Sequence, residues 1–164
     1  EKQKYPTRRN QTLFIGTLHD LAKEKAKSVS LKNPDGYVIG SDQVLIMDDK
    51  IYSKAKNKKE AKERLQEFEG KTHQLISAVS VYQNGEEIFF SSDKASLTIK
   101  RLNDNDIEKY CKKAGDALTS CVGCYALESH GIRLFERIDG DYFTILGMPL
   151  LPLITFLDQE GFGL

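Results

Sequence analysis

Leu13, Phe14, Thr17, Leu18, Leu21, Ala22 and Ala26 recur at helical spacing and predict a helix from Gln11 to about Ser28. Lys23, Glu24, Lys25 and Lys27 occupy much of its opposite face, so a single stripe is expected to be buried. Pro34-Asp35-Gly36 then supplies turn chemistry, and the β-branched, apolar run from Tyr37 to Met47 reads as a buried strand. Asp48-Asp49-Lys50 turns this strand into Ile51-Tyr52, a hairpin. A second helix is predicted from about Lys58 to Glu69, with Ala61, Leu65 and Phe68 facing inward and Gly70 as its stop. His73–Tyr82 reads as a strand, Asn84-Gly85 as a hairpin turn, and Glu87–Ser92 as the returning partner. Lys94–Lys100 alternates Ala95, Leu97 and Ile99 against polar residues and predicts a further strand. Asp104 or Asn105 can cap a helix from Asp106 to Lys113. Beyond Gly115 the pattern becomes irregular, with Leu134–Ile138 and Tyr142–Leu146 as short strands. Pro149 and Pro152 introduce a last apolar helix, Leu151–Leu157. The order is mixed α/β, and its hairpins exclude a purely parallel sheet.

Composition narrows the partners. The chain has 164 residues, an ordinary size for one domain with a real core. Lys+Arg and Asp+Glu are 24 each, so no basic excess points to nucleic acid. No apolar stretch approaches the ~18 residues of a membrane span. Three cysteines are an odd count that argues against a disulfide scaffold and fits a reducing, cytoplasmic setting.

Candidate chemistry centres on Asp42, which ends an apolar run after Gly40-Ser41. An ionised carboxylate there costs several kcal/mol unless it is paired or holds a metal ion. It can act as a general base or hold Mg²⁺ near phosphates; the plainer reading is a turn or capping Asp. Lys54 follows just past the hairpin and can bind phosphate as a point charge, although it also suits a solvated lysine-rich stretch. Gly70-Lys71-Thr72-His73 sets a basic pair at a helix-to-strand junction, too short for a P-loop. Cys121 and Cys124 lack the ligands for zinc and the strand–helix context of a redox motif, which favours a structural role. Glu128 lies in an irregular loop, where its carboxylate could accept hydrogen bonds from a purine N–H edge.

Taken in order, these pieces resemble the Maf family of nucleoside triphosphate pyrophosphatases. The matching residues are Leu21-Ala22 with Lys25-Ala26; Gly40-Ser41-Asp42-Gln43; Lys54; Gly70-Lys71-Thr72-His73; Gly123 with Tyr125 and Glu128; and Gly140 through Gly147-Met148-Pro149-Leu150. The resemblance implies a mixed-sheet, inosine-triphosphatase-like fold with two lobes around a cleft, and often a homodimer. It also implies hydrolysis of a nucleoside triphosphate to monophosphate and pyrophosphate with a divalent cation, Mg²⁺ or Mn²⁺. By the same resemblance Asp42 is the catalytic carboxylate and a cation ligand, and Lys25 and Lys54 line the phosphate site. The family motifs that contain Gln43 and Lys71 place them with the substrate-binding residues. Glu128 stands where one branch has Gln, associated with thymidine and uridine triphosphates, and another has Glu, associated with 7-methylguanosine triphosphate. Arg133-Leu134-Phe135-Glu136 also resembles the Glu branch. The family's opening strand and Ser-x-Ser-x-Arg phosphate loop have no match here. The expectation is therefore a single domain over 1–164 that is N-terminally incomplete, with Glu1 as the remnant of a second acidic cation ligand. A different class of function stays open beside this one: a nucleotide-binding regulator of septum formation that does not turn its ligand over.

Overall fold

A computed structural model describes residues 8–163. Helix α1 (Arg8–Ser30) is followed by strands β1 (Val38–Met47) and β2 (Lys50–Tyr52), then helix α2 (Lys58–Phe68). Strands β3 (Thr72–Gln83) and β4 (Glu86–Ile99) come next, then helices α3 (Asp104–Ala114) and α4 (Ala117–Ser120). A 3-10 turn at His130–Leu134 leads into β5 (Phe135–Asp139), and α5 (Tyr142–Leu146), α6 (Leu150–Leu157) and a π-helical turn at Asp158–Phe162 follow. The five strands form one sheet in the order β2-β1-β3-β4-β5, with β1–β2 and β4–β5 antiparallel. This is the mixed α/β class that the alternation of patterns predicts.

The chain divides into two compact units. One comprises the chain through Gln43, Ile76–Lys94 and the chain from Asp141; the other comprises Val44–Leu75 and Ala95–Gly140. In the first, α1 buries Leu18, Ala22 and Ala26, while Leu21 is exposed. Leu13, Phe14 and Thr17, expected on the same stripe, lie outside the residues whose side chains are described. Val79, Val81 and Leu153 form a core that Phe89, Met148 and Phe156 extend, with the Phe89 and Phe156 rings stacked at 4.6 Å. In the second unit, α2 buries the expected Ala61, Leu65 and Phe68 and packs against α3 and α4.

Several expectations are revised, each for a local physical reason. The β1 run is buried only in part. Gly40 faces the backbone of α1, whereas Ile39, one residue earlier and so on the opposite face, is exposed. The two expected strands Glu87–Ser92 and Lys94–Lys100 are one continuous strand ending at Ile99, and Asp93 between them accepts a hydrogen bond from Thr144 Oγ1 at 2.8 Å. Tyr142–Leu146 is helical rather than extended. Asp141 caps its start by accepting from the Thr144 N–H at 3.1 Å, and Gly147 closes its end at φ 118°, so capping overrides the strand propensity of Tyr, Phe and Ile. Helix α3 starts two residues before the expected point, because Asn103 and Asp106 form a reciprocal capping box in place of Asp104 or Asn105. The Asn84-Gly85 turn is as expected, with φ of 50° and 78°, the left-handed pair that a two-residue hairpin demands. No helix among the described residues is long and apolar enough to cross a membrane.

Candidate active site

The first unit assembles its site on the two faces of β1. Successive strand side chains point to opposite sides, so Gly40 and Asp42 share one face and Ser41 and Gln43 the other. Helix α1 covers the Gly40 face closely: a Cβ at position 40 would sit 2.4 Å from the Ala22 carbonyl oxygen and 2.9 Å from Ala26 Cβ. Only glycine permits that approach. One helical turn places Lys25 on the same side as Ala22 and Ala26, and its Nζ reaches Asp42 Oδ2 at 3.2 Å and the Ser41 carbonyl at 3.3 Å. Asp42 Oδ1 accepts the Gln43 backbone N–H at 2.9 Å, so both carboxylate oxygens are oriented. The Asp42 side chain is 23% exposed and that of Lys25 is 56% exposed. The carboxylate is thus held in a half-buried place beside a cation that still faces solvent. Such a pair can take a proton from water on one side and meet an anionic phosphate on the other.

On the opposite face, Ser41 Oγ donates to the Gly147 carbonyl at 2.6 Å. Gln43 Nε2 lies 3.0 Å from Ser77 Oγ and 3.0 Å from the Thr144 and Ile145 carbonyls. Ser77 Oγ donates its own hydrogen to the Thr144 carbonyl at 2.7 Å. Every neighbour of the Gln43 nitrogen is therefore an acceptor, which fixes the amide orientation and uses both of its N–H groups within the protein. Gln43, expected among the substrate-binding residues, thus directs its amide donors away from the side that carries Asp42.

The second unit carries Lys54, Lys71 and Glu128, all exposed. None of them forms a side-chain ion pair or hydrogen bond among the described residues. Lys71 lies between α2 and β3, where its backbone N–H donates to Phe68 and its carbonyl accepts from Ile99. The segment before Lys54 is tied down by Arg64, which the sequence reading passed over. Its side chain is 8% exposed, and the guanidinium donates to the Ser53 carbonyl and to the Val122 carbonyl at 2.9 Å and pairs with Glu60 at 3.1 Å. The signal was present: Arg64 falls on the apolar stripe of Ala61, Leu65 and Phe68, and a charge in that place requires internal partners.

His73, part of the basic pair read at the helix-to-strand junction, is fully buried among Phe68, Tyr125 and Phe135. Its Nε2 lies 2.7 Å from Tyr125 Oη, while Nδ1 has no hydrogen-bond partner. Burial lowers its pKa to about 3, so the ring is neutral and structural. The cysteines fit the structural reading as well. All three are free, and burial pushes the Cys124 thiol up to about 11, away from thiolate reactivity.

Among the described residues, no three His, Cys, Asp or Glu side chains gather as a metal cage. Mg²⁺ commonly takes one or two protein carboxylates and completes its shell with water and substrate phosphate, so a lone Asp42 carboxylate is compatible with such an ion. Glu1, the other expected ligand, lies outside the described residues.

Comparison with known proteins adds the context of relatives. The family model described as Maf-like protein matches residues 6–160. A nucleoside triphosphate pyrophosphatase of Bradyrhizobium diazoefficiens is 44% identical over 146 residues, which cover 89% of this chain and 71% of the relative. A 7-methyl-GTP pyrophosphatase of Bartonella quintana is 45% identical over 141 residues, covering 86% and 71%. One of Brucella suis bearing the same name is 46% identical over 140 residues, covering 85% and 70%.

Proposed function

The chain belongs to the family of Maf-like proteins, and on that premise we propose that it is a nucleoside triphosphate pyrophosphatase. The reaction breaks the anhydride between the α and β phosphates and releases a nucleoside monophosphate and pyrophosphate. One observation carries this reading: the Asp42 carboxylate is held on β1, oriented by a backbone N–H and faced by the Lys25 ammonium at 3.2 Å. Asp42 takes the proton from the attacking water, and Lys25 offsets negative charge on the phosphates. Lys54 and Lys71 are the further lysines proposed to bind phosphate as point charges. A divalent cation, Mg²⁺ or Mn²⁺, held by Asp42 and the substrate, would neutralise phosphate oxygens.

The substrate proposed is a 7-methylguanosine-type triphosphate in preference to thymidine or uridine triphosphate. Relatives named 7-methyl-GTP pyrophosphatase support this, as does Glu128. A carboxylate accepts from the guanine N–H edge and attracts the positive charge that methylation at N7 adds. A homodimer and a cytoplasmic setting are the accompanying expectations.

The test is pyrophosphate release from a panel of nucleoside triphosphates, including 7-methylguanosine triphosphate, with Mg²⁺ or Mn²⁺. Asp42→Asn should lower kcat by roughly 10²- to 10⁴-fold while leaving the thermal midpoint in place. Turnover at the wild-type rate in that variant would remove Asp42 as the base. Glu128→Gln should shift selectivity away from the methylated purine, and an unchanged ranking would detach Glu128 from base choice.

A further inference from the structure

We propose that Ser41 and Gln43 are positioning residues, which fix Asp42 by binding the C-terminal carbonyls of α5 on the far side of β1. The inference rests on the reading of Asp42 as the base. Helix ends leave their last carbonyls without intrahelical partners, and a helix as short as α5 has few others to offer. Its exposed carbonyls are collected by side chains from elsewhere. Thr144 O receives Ser77 Oγ and Gln43 Nε2, Ile145 O receives Gln43 Nε2, and Gly147 O receives Ser41 Oγ.

Helix α5 is itself pinned. Asp141 caps its first turn, Thr144 Oγ1 donates to Asp93, and the Gly147 N–H returns to the Phe143 and Thr144 carbonyls. Thr144 and Ser77 are fully buried, so these bonds are shielded from water. The two residues flanking Asp42 are therefore anchored to one rigid point, while Asp42 projects the opposite way toward Lys25. Rotation of β1 about its own axis would turn the carboxylate away from Lys25, and it would require at least one of these anchors to break. Neither Ser41 nor Gln43 needs to touch the substrate for this role.

A positioning role and a binding role separate in kinetics. Misplacing a catalytic group by about 1 Å can cost on the order of 10²-fold in rate with binding largely intact. With the nucleoside triphosphate that the wild type turns over fastest, Ser41→Ala and Gln43→Met should each lower kcat by ~10- to 100-fold while KM changes less than ~2-fold. Ser41→Thr, which keeps the hydroxyl, should recover most of the rate. Thermal midpoints measured alongside identify folded variants, and Ser41→Ala, the milder change, serves if Gln43→Met does not fold. Wild-type kcat in a folded Ser41→Ala overturns the inference. So does a raised KM at intact kcat in Gln43→Met, which would place that side chain on the substrate. Asp42→Asn runs as the control. If it is inactive while Ser41→Ala and Gln43→Met keep the wild-type kcat, the positioning role alone fails. If it turns over normally, the base reading fails and takes the positioning role with it.

Discussion

At the scale of single residues, the Lys25–Asp42 pair contributes little to holding the fold. The lysine is more than half exposed, and pairs of that kind are worth about 1 kcal/mol or less. Its value lies in chemistry. Lys25→Met should change stability by no more than about 1 kcal/mol. The same substitution should raise KM for the triphosphate by roughly tenfold or more, as expected for a lost hydrogen bond to a charged group. Parallel melts and steady-state kinetics check both halves. His73 behaves in the opposite way, with a role in stability and none in turnover. Burial takes its pKa from the ordinary 6.5 to about 3, so below 6.5 the unfolded chain binds a proton that the folded chain refuses. Stability is then complete above pH 6.5 and declines as pH falls toward 3. Urea midpoints measured from pH 7 to 4 should fall along that window. In His73→Gln the fall should be shallower, and an equal slope would assign the acid sensitivity to other groups.

At the scale of elements, what could be read from the sequence was whatever local chemistry decides. Helix α2 carries its apolar stripe, its Gly70 stop and its Asn57 cap within about fourteen residues, and the Asn84-Gly85 turn is set by two residues. Asp42 was legible because a carboxylate in an apolar run is anomalous wherever it falls. What was not legible depends on distant partners. The Gln43 amide is taken by the carbonyls of α5, 101 and 102 positions onward, which no local pattern signals. Helix α5 itself was hidden by side chains that favour strands. Two substitutions test the element contacts. Gly40→Ala drives a methyl into the α1 backbone and should destabilise by about 1–3 kcal/mol, measured by denaturant midpoint. Arg64→Met removes the donors to the Ser53 and Val122 carbonyls and should cost about 1 kcal/mol for each hydrogen bond lost. Because Ser53 directly precedes Lys54, that variant should also weaken triphosphate binding if Lys54 serves the phosphates.

At the scale of the whole molecule, the division into two units follows no linker. It falls inside β1 between Gln43 and Val44, inside β3 between Leu75 and Ile76, and inside β4 between Lys94 and Ala95. Domain boundaries that permit independent folding usually lie in exposed, flexible segments. Here Leu75 and Ile76 are both buried, and β1, β3 and β4 are hydrogen-bonded neighbours in a single sheet. Melting one unit alone would require three paired strands to come apart in mid-ladder, each leaving backbone groups without partners. The chain should therefore unfold in one transition, with far-UV and near-UV circular dichroism giving the same midpoint. Gly40→Ala in the first unit and Arg64→Met in the second should each move that one transition without splitting it. A non-hydrolysed nucleotide at about 100 times its Kd should raise the stability of the whole transition by about 2.7 kcal/mol. Two separable transitions, with the nucleotide moving only one of them, would mean that the units fold independently despite the strands they share.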